Sequence, residues 1–174
     1  RSSEDLLRNA DVALYAAKHA GRNTLSLFNP GAVDGCDDLE IETGLRNALI
    51  RNELILHYQP QFIAGGNRIT GVEALVRWQN PTLGLVQPER FIPLAEQTGL
   101  IEEIGEWCLD EACRQLAQWQ ADGIAIPRIA VNVSARQLRR PGFTERVVSA
   151  VRRHRLQPHE LELELTESLL TEDT

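Results

Sequence analysis

Four stretches of the chain carry apolar residues at the period of a β-strand: LILHYQPQF (54–62), ITGVEALVRW (69–78), IAVNVSA (129–135) and LELELTES (161–168). Helical patterns separate the last three. PERFIPLAEQTGL and IEEIGEWCLDEACRQLAQWQADG join the second strand to the third, and RQLRRPGFTERVVSAVRRHRLQ joins the third to the fourth. Strand, helix, strand, helix, strand is the order of parallel βαβ units. Such units build either an open doubly wound sheet or a (β/α)8 barrel. The open sheet commonly carries a glycine-rich phosphate loop after a strand, and none is present, so the pattern favours a barrel.

Upstream the organisation differs. A helix is expected over 3–20, with Ser3 able to cap it, Asp5 in its first turn, Leu6, Leu7, Ala10, Leu14 and Ala17 on one face, and Gly21 to end it. A short strand is expected at 24–28. The stretch NPGAVDGCDD (29–38) then gathers turn and linker residues, and a further helix is expected over about 39–52.

Alternation along each strand separates the apolar side chains from a second set. In the second strand Val72, Ala74, Val76 and Trp78 share one face, while Glu73, Leu75 and Arg77 share the other. Glu73 and Arg77 are roughly 13 Å apart along an extended chain, too far to pair simply with each other. The third strand sets Ile129, Val131 and Val133 against Ala130, Asn132 and Ser134. The fourth sets Leu161, Leu163 and Leu165 against Glu162, Glu164 and Thr166, with Glu167 just beyond. If these strands are neighbours in one barrel, two carboxylates and a carboxamide converge on its lumen. Two charged oxygen ligands and one neutral oxygen make a half-shell suited to Mg2+ or Mn2+, completed by water and phosphate oxygens, which is phosphoryl-transfer chemistry.

The rest of the composition restricts the alternatives. The 174 residues include 43% hydrophobic and 25% charged residues, as in a folded globular chain. A formal net charge of −7 argues against a generic nucleic-acid binder. Cys36, Cys108 and Cys113 form no CxxC pair and have no histidine at zinc spacing, so reduced cytoplasmic thiols are expected. No stretch approaches the ~20 apolar residues of a membrane span, although segments upstream of this chain could anchor a longer protein. The chain contains no methionine and is expected to be a piece of a longer protein. The four histidines are read as surface or satisfied structural groups, the basic run RRPGFTERVVSAVRRHR (139–155) as a solvated helix face rather than a nucleic-acid patch, and Trp107 and Trp119 as core or interface.

Four motifs in order, YQPQF (58–62), EALVRW (73–78), VNVSARQL (131–138) and ELTES (164–168), resemble the EAL family of cyclic di-GMP phosphodiesterases over about 39–174. The resemblance implies a TIM-type barrel, here partial, that hydrolyses cyclic di-GMP to pGpG with two Mg2+ or Mn2+ ions and dimerises through this domain. It implies metal ligands at Glu73, Asn132 and Glu164, dinucleotide contacts from Gln59 and Arg77, and a loop-steadying role for Glu167. Residues 1–28, through LLRNADVALYAAKHAGRNTLSLF, resemble the last helix and strand of a GGDEF diguanylate cyclase domain, with Lys18 and Arg22 at triphosphate-contacting positions. The family's later motifs would lie beyond Thr174, so the piece alone is expected to be inactive. The other reading of the parent protein is a non-catalytic receptor or signal-transmitting domain.

Overall fold

A computed structural model describes residues 34–165, together with Ala10 and Ala13; for residues 34–39 it describes the backbone alone. The helix and strand expected within 1–28, the pair Lys18 and Arg22, and Glu167 lie outside the described residues. The chain divides into two units, 1–47 and 48–174. In the first, helix α1 (Asp34–Ala48) begins inside the stretch expected to be linker and stops earlier than expected. Its Ile41 and Leu45, four residues apart, are buried, and Glu42 and Arg46 pair across one turn at 2.9 Å. Asn52, at φ 55°, supplies the left-handed residue that helps turn the chain towards the first strand.

The second unit is built on a mixed sheet. Strand β1 (Leu54–Phe62) pairs antiparallel with β2 (Ile69–Asn80), and a short β3 (Gly84–Val86) folds back antiparallel on the end of β2. Helices α2 (Pro88–Thr98) and α3 (Ile101–Ala121) lead to β4 (Ile129–Val133), which runs parallel to β2. A one-turn helix α4 (Ala135–Leu138), helix α5 (Phe143–Arg153) and a 3-10 turn lead to β5 (Leu161–Leu165), parallel to β4. The sheet order is β1-β2-β4-β5. The last three strands are thus the parallel units that the pattern predicts, whereas β1 reverses direction. Its connection to β2 is only residues 63–68, too short for the crossover that a parallel pair needs.

The apolar faces point to the helices. Val72, Ala74 and Trp78 of β2 and Ile129, Val131 and Val133 of β4 are buried, as are Phe91, Leu94 and Ala95 of α2 and Ile104, Cys108, Ala112 and Leu116 of α3. Trp78, with 0% exposure, meets Phe91 edge to face, ring centres 6.1 Å apart. Its indole N–H donates to Glu53 Oε2 at 2.9 Å, which satisfies the one polar atom the ring buries. Tyr58 of β1 stacks on Trp119 of α3 in the same geometry, at 4.8 Å.

The helices are joined by charge. Glu102, Glu106 and Asp110, at four-residue spacing along α3, pair with Arg136, Arg140, Arg146, Arg153 and His154 at 2.7–3.1 Å. The basic run is therefore an ion-pair seam between α3 and the α4–α5 segment, rather than a merely solvated face. Each pair is partly exposed and contributes only about 0–1 kcal/mol, so the seam fixes register more than stability. No described helix is long and apolar enough to cross a membrane.

One close approach governs the exit from β4. Ser134, 4% exposed, is the N-cap of α4 rather than a lumenal group. Its hydroxyl accepts from the Gln137 backbone N–H at 3.3 Å, while the Ser134 N–H donates to Gln137 Oε1 at 3.1 Å. This is a capping box. The Gln137 carboxamide fills the space where a side chain at Gly105 of α3 would stand, and a Cβ there would overlap it. Gly105→Ala is expected to destabilise the fold by about 1–3 kcal/mol in urea unfolding. Combining it with Gln137→Ala should cost less than the two changes summed.

Burial pushes the thiols of Cys108 and Cys113 up to about 12, so both stay protonated and unreactive in ordinary buffers. Iodoacetamide at pH 8 should alkylate neither in the native protein and both after denaturation, as read by peptide mass spectrometry.

Candidate active site

The face of the sheet turned away from α2 and α3 carries the polar set. Ladder partners share a face, and Gln59 lies opposite Glu73, Glu73 opposite Ala130, Ala130 opposite Glu162, and Asn132 opposite Glu164. Gln59, Glu73, Asn132, Glu162 and Glu164 therefore look the same way. The three strands bearing Glu73, Asn132 and Glu164 are immediate neighbours. Arg77 shares this face at the C-terminal end of β2.

Ladder level and spatial level differ here. Asn132 stands two residues beyond the ladder partner of Glu73, yet its Nδ2 donates to Glu73 Oε1 at 2.6 Å. Gln61 lies opposite Gly71, one residue below the Val72–Ile129–Leu161 level, while Glu164 lies three residues above that level. Nevertheless Gln61 Nε2 donates to Glu164 Oε1 at 3.2 Å. From Gln61 to Glu73, Asn132 and Glu164 the offsets are two, two and zero residues, four in all over three strand steps. Strands tilted as in a closed eight-stranded barrel accumulate about one residue of stagger per step, so residues that climb the ladder arrive at one height. Tilt and curl thus bring the four side chains into one polar tier.

Below that tier stands a charged pair. Arg128 and Glu162 form an ion pair at 2.8 Å, without the alignment of a hydrogen bond, and the two nearest atoms are shielded from water. The Arg128 stem lies across Gly71, where a Cβ would stand 2.8 Å from Arg128 Cγ and 3.1 Å from Gln61 Oε1. The glycine in GVEAL is needed for this passage. Arg77 uses one N–H to donate to the Val76 carbonyl at 2.8 Å, and its planar fork suits a phosphate or carboxylate. Gln59 is exposed on the same face.

The donor chemistry fits a hard divalent cation: two carboxylates and a carboxamide, all able to present oxygen. As placed, the Asn132 carboxamide turns its N–H2 to Glu73; a half-turn of its terminal torsion would present Oδ1 instead. Among the described residues no group of three or more His, Cys, Asp or Glu side chains converges as a cation cage. Gln61 is the member of the tier that the motif reading passed over. Its signal was available, because it follows Gln59 by two positions and must share its face.

Comparison with known proteins decides the family. The family model described as EAL domain matches residues 42–174. The chain belongs to the EAL domain family. The chain is 46% identical over 174 residues to the bifunctional diguanylate cyclase/cyclic di-GMP phosphodiesterase MucR of Pseudomonas aeruginosa, covering 99% of this chain and 25% of that protein. It is 38% identical over 172 residues to the cyclic di-GMP phosphodiesterase PdeR of Escherichia coli, covering 98% of this chain and 26% of that protein. The chain thus spans about a quarter of the length of these relatives. Among solved EAL structures, the PaMucR phosphodiesterase in complex with c-di-GMP superposes with a TM-score of 0.73 at 50% identity, covering 77% of this chain and 54% of that one. The EAL domain of FimX from Pseudomonas aeruginosa bound to c-di-GMP gives 0.63 at 29% identity, covering 76% and 51%.

The closeness of Asn132 to Glu73 predicts a pH-dependent cost. Asn132→Asp would set a second carboxylate beside the first, and like charges at that distance favour the protonated form. The folded-state pKa of the new carboxyl then lies above its unfolded value. In divalent-free buffer the variant should match the parent in urea unfolding below about pH 4, and fall about 1 kcal/mol short as pH rises to 7. Added Mn2+ should narrow that gap.

Proposed function

We propose that this chain is the amino-terminal part of an EAL domain that hydrolyses cyclic di-GMP to linear pGpG, in a longer signalling protein whose GGDEF domain ends within residues 1–28. The observation that carries the reading is the meeting of Glu73 with Asn132 at 2.6 Å on neighbouring strands, with Glu164 on the next strand of the same face. The likeness to MucR and PdeR supports the activity, and the c-di-GMP complexes of EAL relatives support the ligand. The likeness to MucR runs over nearly the whole chain, whereas the EAL match starts at residue 42. That difference supports a second domain before the EAL domain.

In this reading Glu73, Asn132 and Glu164 supply oxygen ligands to Mg2+ or Mn2+. When bound, the cations supply Lewis-acid stabilisation of the phosphodiester and a more acidic water. The chain's own residues orient the substrate. Arg77, on the same face at the C-terminal end of β2, takes a phosphate through its planar fork, and Gln59 offers a carboxamide to a guanine edge. By the family likeness, Glu167 steadies a loop important for the metal site and the dimer. The Arg128–Glu162 pair and the stem over Gly71 lie beneath the tier, and the dinucleotide binds on the other side, where the parallel strands end.

The test is turnover of cyclic di-GMP by the full-length protein in Mg2+ or Mn2+, with product identified as pGpG. Glu73→Gln should lower kcat by at least about a hundredfold with the melting temperature little changed, because a lumenal ligand contributes charge rather than packing. Turnover within a few-fold of the parent would overturn the ligand assignment. Tight binding of cyclic di-GMP with no turnover in either protein would replace the enzyme reading with a receptor.

A further inference from the structure

The geometry points to Gln61 as a positioning residue for Glu164, holding one carboxylate oxygen so that the other faces the cation site. This rests on the proposed metal-dependent reading of that site. Three observations carry it. Gln61 Nε2 donates to Glu164 Oε1 at 3.2 Å between two half-buried side chains. The contact crosses the lumen, since β1 and β5 stand at opposite ends of the four-strand path β1-β2-β4-β5. Flat strands about 4.8 Å apart would set those two roughly 14 Å from each other, so the contact depends on the curl of the sheet and reports it. Third, the Gln61 side chain is guided to Glu164 by the absence of a side chain at Gly71, where a Cβ would stand 3.1 Å from Gln61 Oε1.

The choice of an amide has a physical consequence. A carboxylate that ligates a cation with one oxygen is free to rotate about its terminal torsion unless the other oxygen is held, and a neutral donor holds it without neutralising its charge. A lysine or arginine at position 61 would compete with the cation for the same charge. Arg128, which lies across Gly71 close to Gln61, is instead engaged by Glu162 at 2.8 Å. Arg128 is therefore given to the acid below the tier and the neutral donor Gln61 to the acid within it. Gln59, two residues away on the same strand and face, is left with Arg77 for the dinucleotide.

The experiment measures Mn2+ binding to the full-length protein by the electron paramagnetic resonance signal of free Mn2+, alongside steady-state turnover of cyclic di-GMP. Gln61→Ala should weaken Mn2+ binding by about tenfold to a hundredfold, the range typical of groups that orient a metal's ligands. At saturating Mn2+ its KM for cyclic di-GMP should stay within about twofold of the parent. Gln61→Met keeps about the size and the path over Gly71 but loses the donor without adding charge, so it should weaken Mn2+ binding comparably to Gln61→Ala. Mn2+ affinity of Gln61→Met equal to the parent would show that only packing matters and would overturn the proposal. Glu73→Gln separates the two levels of argument. If it loses Mn2+ while Gln61→Ala keeps it, the metal reading stands and the positioning role fails. If Glu73→Gln binds Mn2+ as the parent does, the metal reading itself fails.

Discussion

The strand tilt that brings Glu73 to Asn132 is the constraint on which the rest of this structure depends. Ladder hydrogen bonds alone would put Glu73 level with Ala130 and Glu162, and would leave Asn132 and Glu164 a step above. In a flat sheet these groups would be spread along their strands with little in common. With the tilt and curl of a barrel wall, Gln61, Glu73, Asn132 and Glu164 come into one tier, and two side-chain hydrogen bonds, one of them across the lumen, close it. The site is thus a property of sheet geometry more than of any one strand.

Packing behind the sheet holds that geometry. Alternation commits the opposite face of β2 and β4 to Phe91, Leu94, Ile104 and Leu116, so a one-residue slip of either strand would put its apolar set into the lumen and its polar set among the helices. The turn after Asn132 is pinned separately, by the Ser134–Gln137 capping box seated against Gly105. The ion pairs of Glu102, Glu106 and Asp110 then set how α4 and α5 lie along α3. Each device is modest in energy. Together they leave β4 few alternatives to the register that presents Asn132.

Much of this was legible in the residues because period-2 alternation is a local property. GVEALVRW, IAVNVSA and LELELTES each declared which side chains share a face, and the helical stretches between them declared parallel pairing. What was not legible depended on relations between distant residues. The reversal of β1 follows from the brevity of 63–68 and was not drawn from its motif. The start of α1 at Asp34 was hidden by the glycine and acidic residues that read as linker. The stagger between strands, and with it the contact of Gln61 with Glu164, has no signature in either segment alone. Likewise Arg140, Arg146 and Arg153 read as part of a solvated run because their partners lie 34 or more residues earlier in the chain. Glu167 falls outside the described residues, and its role rests on the family likeness.

The central claim is that a hard cation is held within this tier by Glu73, Asn132 and Glu164. It is tested most directly by an anomalous difference map from crystals of the full-length protein grown with Mn2+ and cyclic di-GMP. The account predicts a peak within coordination distance, about 2.0–2.6 Å, of oxygens from all three side chains, with the Asn132 carboxamide turned to present Oδ1. A peak bound elsewhere, with Asn132 Nδ2 still donating to Glu73, would contradict it.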